Sequence, residues 1–353
     1  VLENRPSKEI LMLHKKPVAV LVACSLACFS GWAVADGDKP AEPTTAPAHR
    51  PTEEGQKKPE VLIYRSPALD KLIARTMDVK EPLATRLESK LVDARLFENR
   101  VLIFAAARKS DACQRFFSIL LHGSAMRNGD QEASEQLGNF TRLAIDTSAP
   151  AGASELKTFF EKWHLTAPAG DDALLAVVDP DGQLIAATTA AELWPGAKRE
   201  AAQLTAFLKK NEPPVPDAQK RLADALLQAR SENKRVFVEQ SANWCGWCHV
   251  LARYLDQHRL LVEKDYVWIT VDERFTHAAD VMKKLRPKAQ GGIPWVVILD
   301  ADGKPLINSD AAEGNIGYPS EPKEIEHFEK MLRTTVQHMS DAEIKILADL
   351  LKK

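Results

Sequence analysis

The stretch Arg235-Val-Phe-Val-Glu-Gln-Ser-Ala-Asn-Trp-Cys-Gly-Trp-Cys-His249 decides the reading of this chain. It begins as a β-branched and aromatic run, which reads as a strand. It ends in Trp244-Cys-Gly-Trp-Cys-His249, a pattern that admits two chemistries. A Cys-x-x-Cys pair exchanges disulfides, whereas Cys-x-x-Cys-His is also the attachment pattern for a c-type haem.

Outward from this stretch the periodicity alternates between helix and strand. Upstream, the segment opening at Asp217 places Leu222, Ala225, Leu226 and Ala229 at three-and-four spacing, a helix that feeds the strand. Downstream, the pattern predicts a helix over Leu251 to Leu261, a strand over Tyr266 to Val271, a helix over Ala278 to Leu285 and a strand over Trp295 to Leu299. Asp300-Ala-Asp-Gly303 reads as a tight turn before a returning strand, Pro305 to Ile307. Helices over Glu321 to Gln337 and Asp341 to Leu351 follow.

The first half repeats the plan. Val101 to Ala107 is strand-like, Cys113 to Leu121 helical, and Phe140 to Ile145 and Leu174 to Val178 strand-like; Asp179-Pro-Asp-Gly182 repeats the turn. Setting Val101 against Val236 places Phe104 opposite Glu239, Ser110 opposite Cys245 and Cys113 opposite Cys248. Setting Asp179 against Asp300 places Ala173 opposite Pro294. The halves read as diverged copies, here bounded as residues 61–210 and 211–353. The break between them falls at Lys209-Lys-Asn-Glu-Pro-Pro-Val-Pro216, where the prolines exclude helix and central strand.

At 353 residues, with 45% apolar and 27% charged side chains, the chain is long enough for two cores. Forty-seven basic against forty-nine acidic residues leave a net charge of -2, without the basic footprint of a nucleic-acid binder. From Met12, which reads as a better start than Val1, Leu-His-Lys-Lys is followed by the apolar stretch Pro17 to Ala35, closed by Ala33-Val34-Ala35. This is the pattern of an export signal. The same stretch is about long enough to remain as a membrane anchor, and Leu21-Val22-Ala23-Cys24 also resembles a lipoprotein box, although apolar character continues past Cys24. Residues 36–60, with Pro40, Pro43, Pro47 and Pro51, read as a disordered tether. Export implies a periplasmic or extracytoplasmic location, anchored to the inner membrane if the signal stays uncleaved. Of five cysteines, Cys24 and Cys28 lie in the signal, leaving Cys113, Cys245 and Cys248. One close pair and little else suggests reactivity rather than stapling.

A reactive dithiol needs an exposed thiolate at neutral pH, and a helix N-terminus stabilises that charge. Cys245 sits at the predicted strand-to-helix junction and is the candidate nucleophile. Cys248, one turn on, is the candidate resolving thiol. His249, when protonated, would lower a cysteine pKa further; the same ring reads equally as a neutral surface histidine. Trp244 and Trp247 form a candidate apolar collar for unfolded polypeptide.

The half from Asp217 to Thr335 resembles the thioredoxin superfamily, and more closely its exported members carrying Trp-Cys-Gly-Trp-Cys than cytosolic thioredoxin with its Gly-Pro dipeptide. The resemblance implies two tandem thioredoxin-like α/β domains, each a central mixed sheet flanked by helices. It also implies that Glu239, six residues before Cys245, is buried beneath the pair and handles the proton of Cys248. Gly291-Gly-Ile-Pro294 lies where the family carries a cis-proline, with Ile293 backbone groups free to pair with substrate as an added strand. The expected activity is thiol-disulfide exchange with protein thiols and disulfides, supplied by a membrane or soluble redox partner, without cofactor or metal. Gly246-Trp247 alone does not set its direction.

Haem attachment requires neither the strand carboxylate nor the Ile-Pro step, although Met282, His277 and Met331 are available as distal ligands. A zinc site lacks a second cysteine pair at ligand spacing. A third reading is a non-catalytic binding protein with the pair as a structural disulfide. In the first copy Ser110, Phe104 and Ala173 replace the nucleophile, carboxylate and cis-proline, so it resembles the redox-silent modules of protein disulfide isomerase relatives. It would dock a partner or brace the active copy, and Cys113 reads as a buried apolar side chain.

Overall fold

Val236, Phe237 and Val238 are buried on both faces of their strand, and so is the run Leu102 to Ala106 in the first half. Such strands belong at the centre of covered sheets. The computed structural model describes residues 66–352 except residue 79 and residues 123–128, 149–152 and 195–200. The expected export signal with Cys24 and Cys28, and the tether, lie outside the described residues. No helix among the described residues is long and apolar enough to cross a membrane.

In chain order the first half comprises α1 (Pro67–Met77), α2 (Leu83–Leu96), β1 (Arg100–Ala106), α3 (Asp111–His122), α4 (Gly129–Gly138), β2 (Phe140–Asp146), α5 (Ala153–Glu161), β3 (Ala173–Val178), β4 (Leu184–Thr189), α6 (Ala190–Leu193) and α7 (Ala202–Lys210). The second comprises α8 (Ala218–Glu232), β5 (Arg235–Ser241), α9 (Gly246–Gln257), α10 (Arg259–Asp265), β6 (Tyr266–Asp272), α11 (Ala278–Leu285), β7 (Trp295–Leu299) and β8 (Pro305–Asn308). After it come the short ladder of β9 (Asp310–Ala311) and β10 (Gly314–Asn315), then α12 (Pro322–Thr335) and α13 (Asp341–Leu350).

Two four-stranded sheets result, ordered β2-β1-β3-β4 and β6-β5-β7-β8. In each, the first pair is parallel and the next two are antiparallel. The copies agree in register: Val101 faces Val178 as Val236 faces Leu299, and Phe104 faces Leu175 as Glu239 faces Val296. The irregularity between Val177 and Val178 recurs between Ile298 and Leu299. Both turns are built alike: Asp179 Oδ1 accepts from the N–H of Asp181 and Gln183, and Asp300 Oδ1 from those of Asp302 and Lys304. Gly182 and Gly303 supply the left-handed residue at φ 81° and 84°. The fold is therefore two tandem copies of one α/β plan, within one compact unit.

Each sheet carries apolar layers on both faces, with alternate residues of one strand feeding opposite layers. The predicted helix over Leu251 to Leu261 is instead divided at His258, which caps both α9 and α10. Past the division Val262 is buried and Leu260 lies in solvent. The helices α1 and α2 lie in a stretch without a sequence assignment, and α2 packs against α9.

The ends of α12 and α13 are joined over a buried carboxylate. Asp265 is fully buried and accepts from the N–H groups of Gln337 (2.8 Å), His338 (2.6 Å) and Met339 (2.8 Å). These donors have no other partner in the link, so losing the acceptor leaves them unsatisfied. Asp265→Ala is expected to lower unfolding free energy by about 3 kcal/mol, read from urea denaturation; a change below about 0.5 kcal/mol would show that the link tolerates its loss.

Candidate functional site

Helix α9 begins where β5 ends, and the turn between them carries the cysteines. Cys245 is the N-cap of α9, its sulfur accepting from the N–H of Cys248 at 3.1 Å. Cys245 and Cys248 are joined as a disulfide with Cα atoms 5.3 Å apart. The N–H of Cys248 and the positive end of the helix dipole lie at the first sulfur, an environment that favours thiolate over thiol once the bond opens. The copy in the first half keeps this cap with an oxygen: Ser110 Oγ accepts from the N–H of Cys113 at 3.1 Å. Cys113 is buried against Met77, and burial pushes its thiol up to about 12.

The sulfur of the candidate nucleophile is less open than expected. Cys245 is 5% exposed and Cys248 fully buried, with Ala242 beside them and Ile293 packed against the cluster. Trp244 and Trp247 project into solvent on either side, 69% and 55% exposed. Trp244 Nε1 donates to Glu273, and Trp247 stacks on Tyr318 with ring centroids 5.9 Å apart.

Ile293–Pro294 is a cis peptide, directly before β7. The loop around it is held by side chains that carried no sequence signal. Asn315 Nδ2 donates to the carbonyls of Gly292 and Pro294, both at 2.9 Å, and Asn315 Oδ1 accepts from Ser309 Oγ at 2.7 Å. The Arg286 guanidinium donates to Gln240 Oε1 at 2.9 Å and to the carbonyls of Gln290 and Gly292, and lies 5.0 Å from the Trp295 ring. Ile293, between these anchored neighbours, makes no backbone hydrogen bond among the described residues.

Glu239 is fully buried on β5, and neither carboxyl oxygen has a hydrogen-bond partner among the described residues. Burial pushes its pKa up to about 8. Trp268 lies on the neighbouring strand β6, opposite Phe237 and so diagonal to Glu239 on the same face. Its indole N–H opposes the rise too weakly to offset burial, and its geometry falls short of a hydrogen bond. At neutral pH the carboxyl therefore holds its proton most of the time while remaining able to release it. Phe104 occupies the equivalent place in the first copy and stacks on Phe116 at 4.0 Å.

His249 packs against the first half. Its ring is half-buried and stacked on Phe97 of the first half at 4.0 Å. Burial, helped by the nearby Arg253 cation, lowers its pKa. The lowered pKa favours the neutral imidazole at neutral pH. One turn on, Arg253 makes a two-pronged contact with Asp93 of α2, at 2.7 and 3.1 Å. Asn243, just before the motif, donates to Asn139 Oδ1 at 3.1 Å. The first half thus grips the turn and helix that carry the cysteine pair.

The distal haem ligands read from the sequence do not gather here. Met331 lies in the layer formed with α12 and α13, Met282 packs into the layer on the other face of the sheet, and His277 pairs with Asp217. This donor set does not fit a haem held by Cys245 and Cys248, which bond to each other.

Residues 217–301 match the sequence model of a family described as thioredoxin-like. Among curated proteins none matches. Solved structures with similarity include a disulphide isomerase from Xylella fastidiosa Temecula1, at 21% identity over 38% of this chain and 92% of that one, with a TM-score of 0.26. The DsbH oxidoreductase is 18% identical over 34% and 84%, with a TM-score of 0.24. A redox protein from Chlamydomonas reinhardtii is 11% identical over 64% and 74%, with a TM-score of 0.26. Likenesses of this size say nothing about activity. The second copy, with its matched segment, is thioredoxin-like, and the first shares its strand order and register.

The Glu239 environment has a thermodynamic signature. The folded chain holds this proton up to about pH 8, whereas an unfolded glutamate releases it near 4.5. Between these values the folded state binds more protons, so Glu239 lowers stability progressively as pH rises through the window. Below it both states are protonated and the effect vanishes. Denaturation across pH 4.5 to 8 is expected to show the wild type losing stability relative to Glu239→Gln; parallel curves would rule out the raised pKa. For His249, Phe97→Ala reopens the ring to water, and its pKa, followed by proton NMR, is expected to rise toward 6.5; an unchanged titration would show that Phe97 does not shield it.

Proposed function

We propose that this chain is an exported thiol-disulfide oxidoreductase that exchanges disulfides with protein thiols through Cys245 and Cys248. One observation carries the reading: the cysteine pair caps a helix N-terminus in the same sheet-to-helix unit as a buried, unpartnered carboxyl. A structural disulfide needs neither feature. The sequence pattern from Met12 to Ala35 supports export, toward a periplasmic or other extracytoplasmic location with or without a retained anchor. The copies at residues 61–210 and 211–353 act as a silent and an active domain.

In the reducing direction Cys245 thiolate attacks one sulfur of a substrate disulfide. A Cys245–substrate bond forms, the substrate S–S bond breaks, and the other substrate sulfur leaves as thiolate. Glu239 in its ionised form accepts the proton of Cys248, whose thiolate attacks the Cys245 sulfur. The second substrate sulfur leaves, and the Cys245–Cys248 bond closes. The substrate gains two electrons and the protein loses two. In the oxidising direction a substrate thiolate attacks the Cys245–Cys248 disulfide and the steps reverse. Trp244, Trp247 and the open backbone of Ile293 beside Pro294 receive the substrate chain, the last by pairing as an added strand.

Cys245→Ser is expected to abolish turnover of a protein disulfide, while Cys248→Ser accumulates a mixed disulfide visible by mass spectrometry. Glu239→Gln is expected to slow resolution by about a hundredfold. In a thiol-trapping titration the pair is expected to behave as a two-electron couple between about -270 and -120 mV, with the midpoint setting the direction. Full activity without Cys245, or a pair that never titrates, would overturn the reading.

A further inference from the structure

Beside the cysteine turn lies a cleft of about 680 Å³ between the two copies. Trp244, Gly246 and His249, which bracket Cys245 in sequence, line it from the second copy, and Phe97 with residues of α1, α2 and β2 lines it from the first, the two sides meeting where Phe97 stacks on His249. Its charge is one-sided. Arg75, Lys90, Arg142 and Arg253 line it against the single carboxylate of Asp93, four positive charges less one, or +3, whereas the whole chain carries -2.

The one carboxylate is already engaged. Asp93 is buried, holds Arg253 through both oxygens, and lies 3.7 Å from Lys90. Arg142, on the edge strand β2, donates among the described residues only to the carbonyl of Leu137, at 2.7 Å. Arg75 is exposed on α1 and has neither hydrogen bond nor ion pair among the described residues. Arg142 is also exposed by area, yet protein surrounds its guanidinium closely enough that desolvation lowers its pKa. That combination describes a cation inside a concavity, where the field of neighbouring like charges is focused.

We propose that this cleft binds an acidic segment of the substrate polypeptide next to its reactive cysteine, so that the first copy selects which protein disulfides reach Cys245. The inference rests on the thiol-exchange reading above. Asp or Glu side chains of the segment meet Arg75 and Arg142, and its apolar side chains meet the half-buried Phe97 ring and the exposed Trp244. Charge complementarity of this kind acts chiefly on encounter rate and partner choice.

The test uses the full chain, kept reduced by excess glutathione with the uncatalysed rate subtracted, and three disulfides: two peptides of equal length sharing one central cystine, flanked by Asp and Glu in one and by Lys and Arg in the other, and neutral hydroxyethyl disulfide. The ratio of kcat/KM for the acidic over the basic peptide is expected to reach about tenfold at low salt and to shrink above about 0.15 M ionic strength. Charge reversal with Arg75→Glu and Arg142→Glu is expected to bring the ratio to one or below. A wild-type ratio within twofold of one, or one that salt leaves unchanged, overturns the proposal, and this holds even if the double variant does not fold. If hydroxyethyl disulfide is reduced while the peptides are not distinguished, only the cleft proposal fails. If neither the three disulfides nor the corresponding dithiols and thiol exchange with the cysteine pair, thiol exchange fails in both directions and takes the cleft proposal with it.

Discussion

Removing a carboxyl from water without a partner is costly unless the group keeps its proton, and Glu239 sits in that position on the central strand of the second sheet. The surroundings are apolar: Phe237 and Val238 precede it on the strand, Val296 faces it from β7, and Trp268 flanks it from β6. None brings a charge that would hold the ionised form. The site therefore contains a proton that is bound near neutrality and still exchangeable, close in the chain to a helix end that favours a thiolate. Two opposite electrostatic environments, one stabilising an anion and one resisting it, are separated by the short turn from Ser241 to Cys245.

The first copy shows what the same fold becomes when that constraint is lifted. Phe104 replaces Glu239 and stacks on Phe116, so the central strand is covered by aromatic packing. Ser110 preserves the helix cap with a hydroxyl oxygen, and Cys113 is a buried thiol far from ionisation. Register, sheet irregularity and the Asp-x-Asp-Gly turn persist in both copies, because they satisfy backbone hydrogen bonds and left-handed φ angles whatever the chemistry nearby.

The joint between copies ties the two roles together. Asp93 and Phe97 near the end of α2 hold Arg253 and His249 on α9, and Asn243 reaches back to Asn139. These contacts brace the helix that carries the cysteine pair, bury the His249 ring so that its pKa is lowered, and form one end of the cationic cleft. Bracing and the proposed docking are thus compatible on one surface, since Arg75 and Arg142 line the same cleft as Trp244 and Gly246.

The sequence by itself determined the strands, the repeat, the thioredoxin-like plan and the cysteine pair at the head of a helix. These follow from local periodicity, from turn residues with few alternatives, and from a motif whose spacing is one helical turn. It also pointed to Glu239 and to Pro294, through the resemblance. It did not determine that the His249 pKa would be lowered, that Asn315 and Arg286 would anchor the Ile293–Pro294 loop, or that four cations would line one cleft. Each of those depends on residues far apart in the chain: Phe97 reaches His249 across 152 positions, counted from their numbers. Burial, and with it the charge state of a side chain, is a property of what packs against it, and only the tertiary structure decides that.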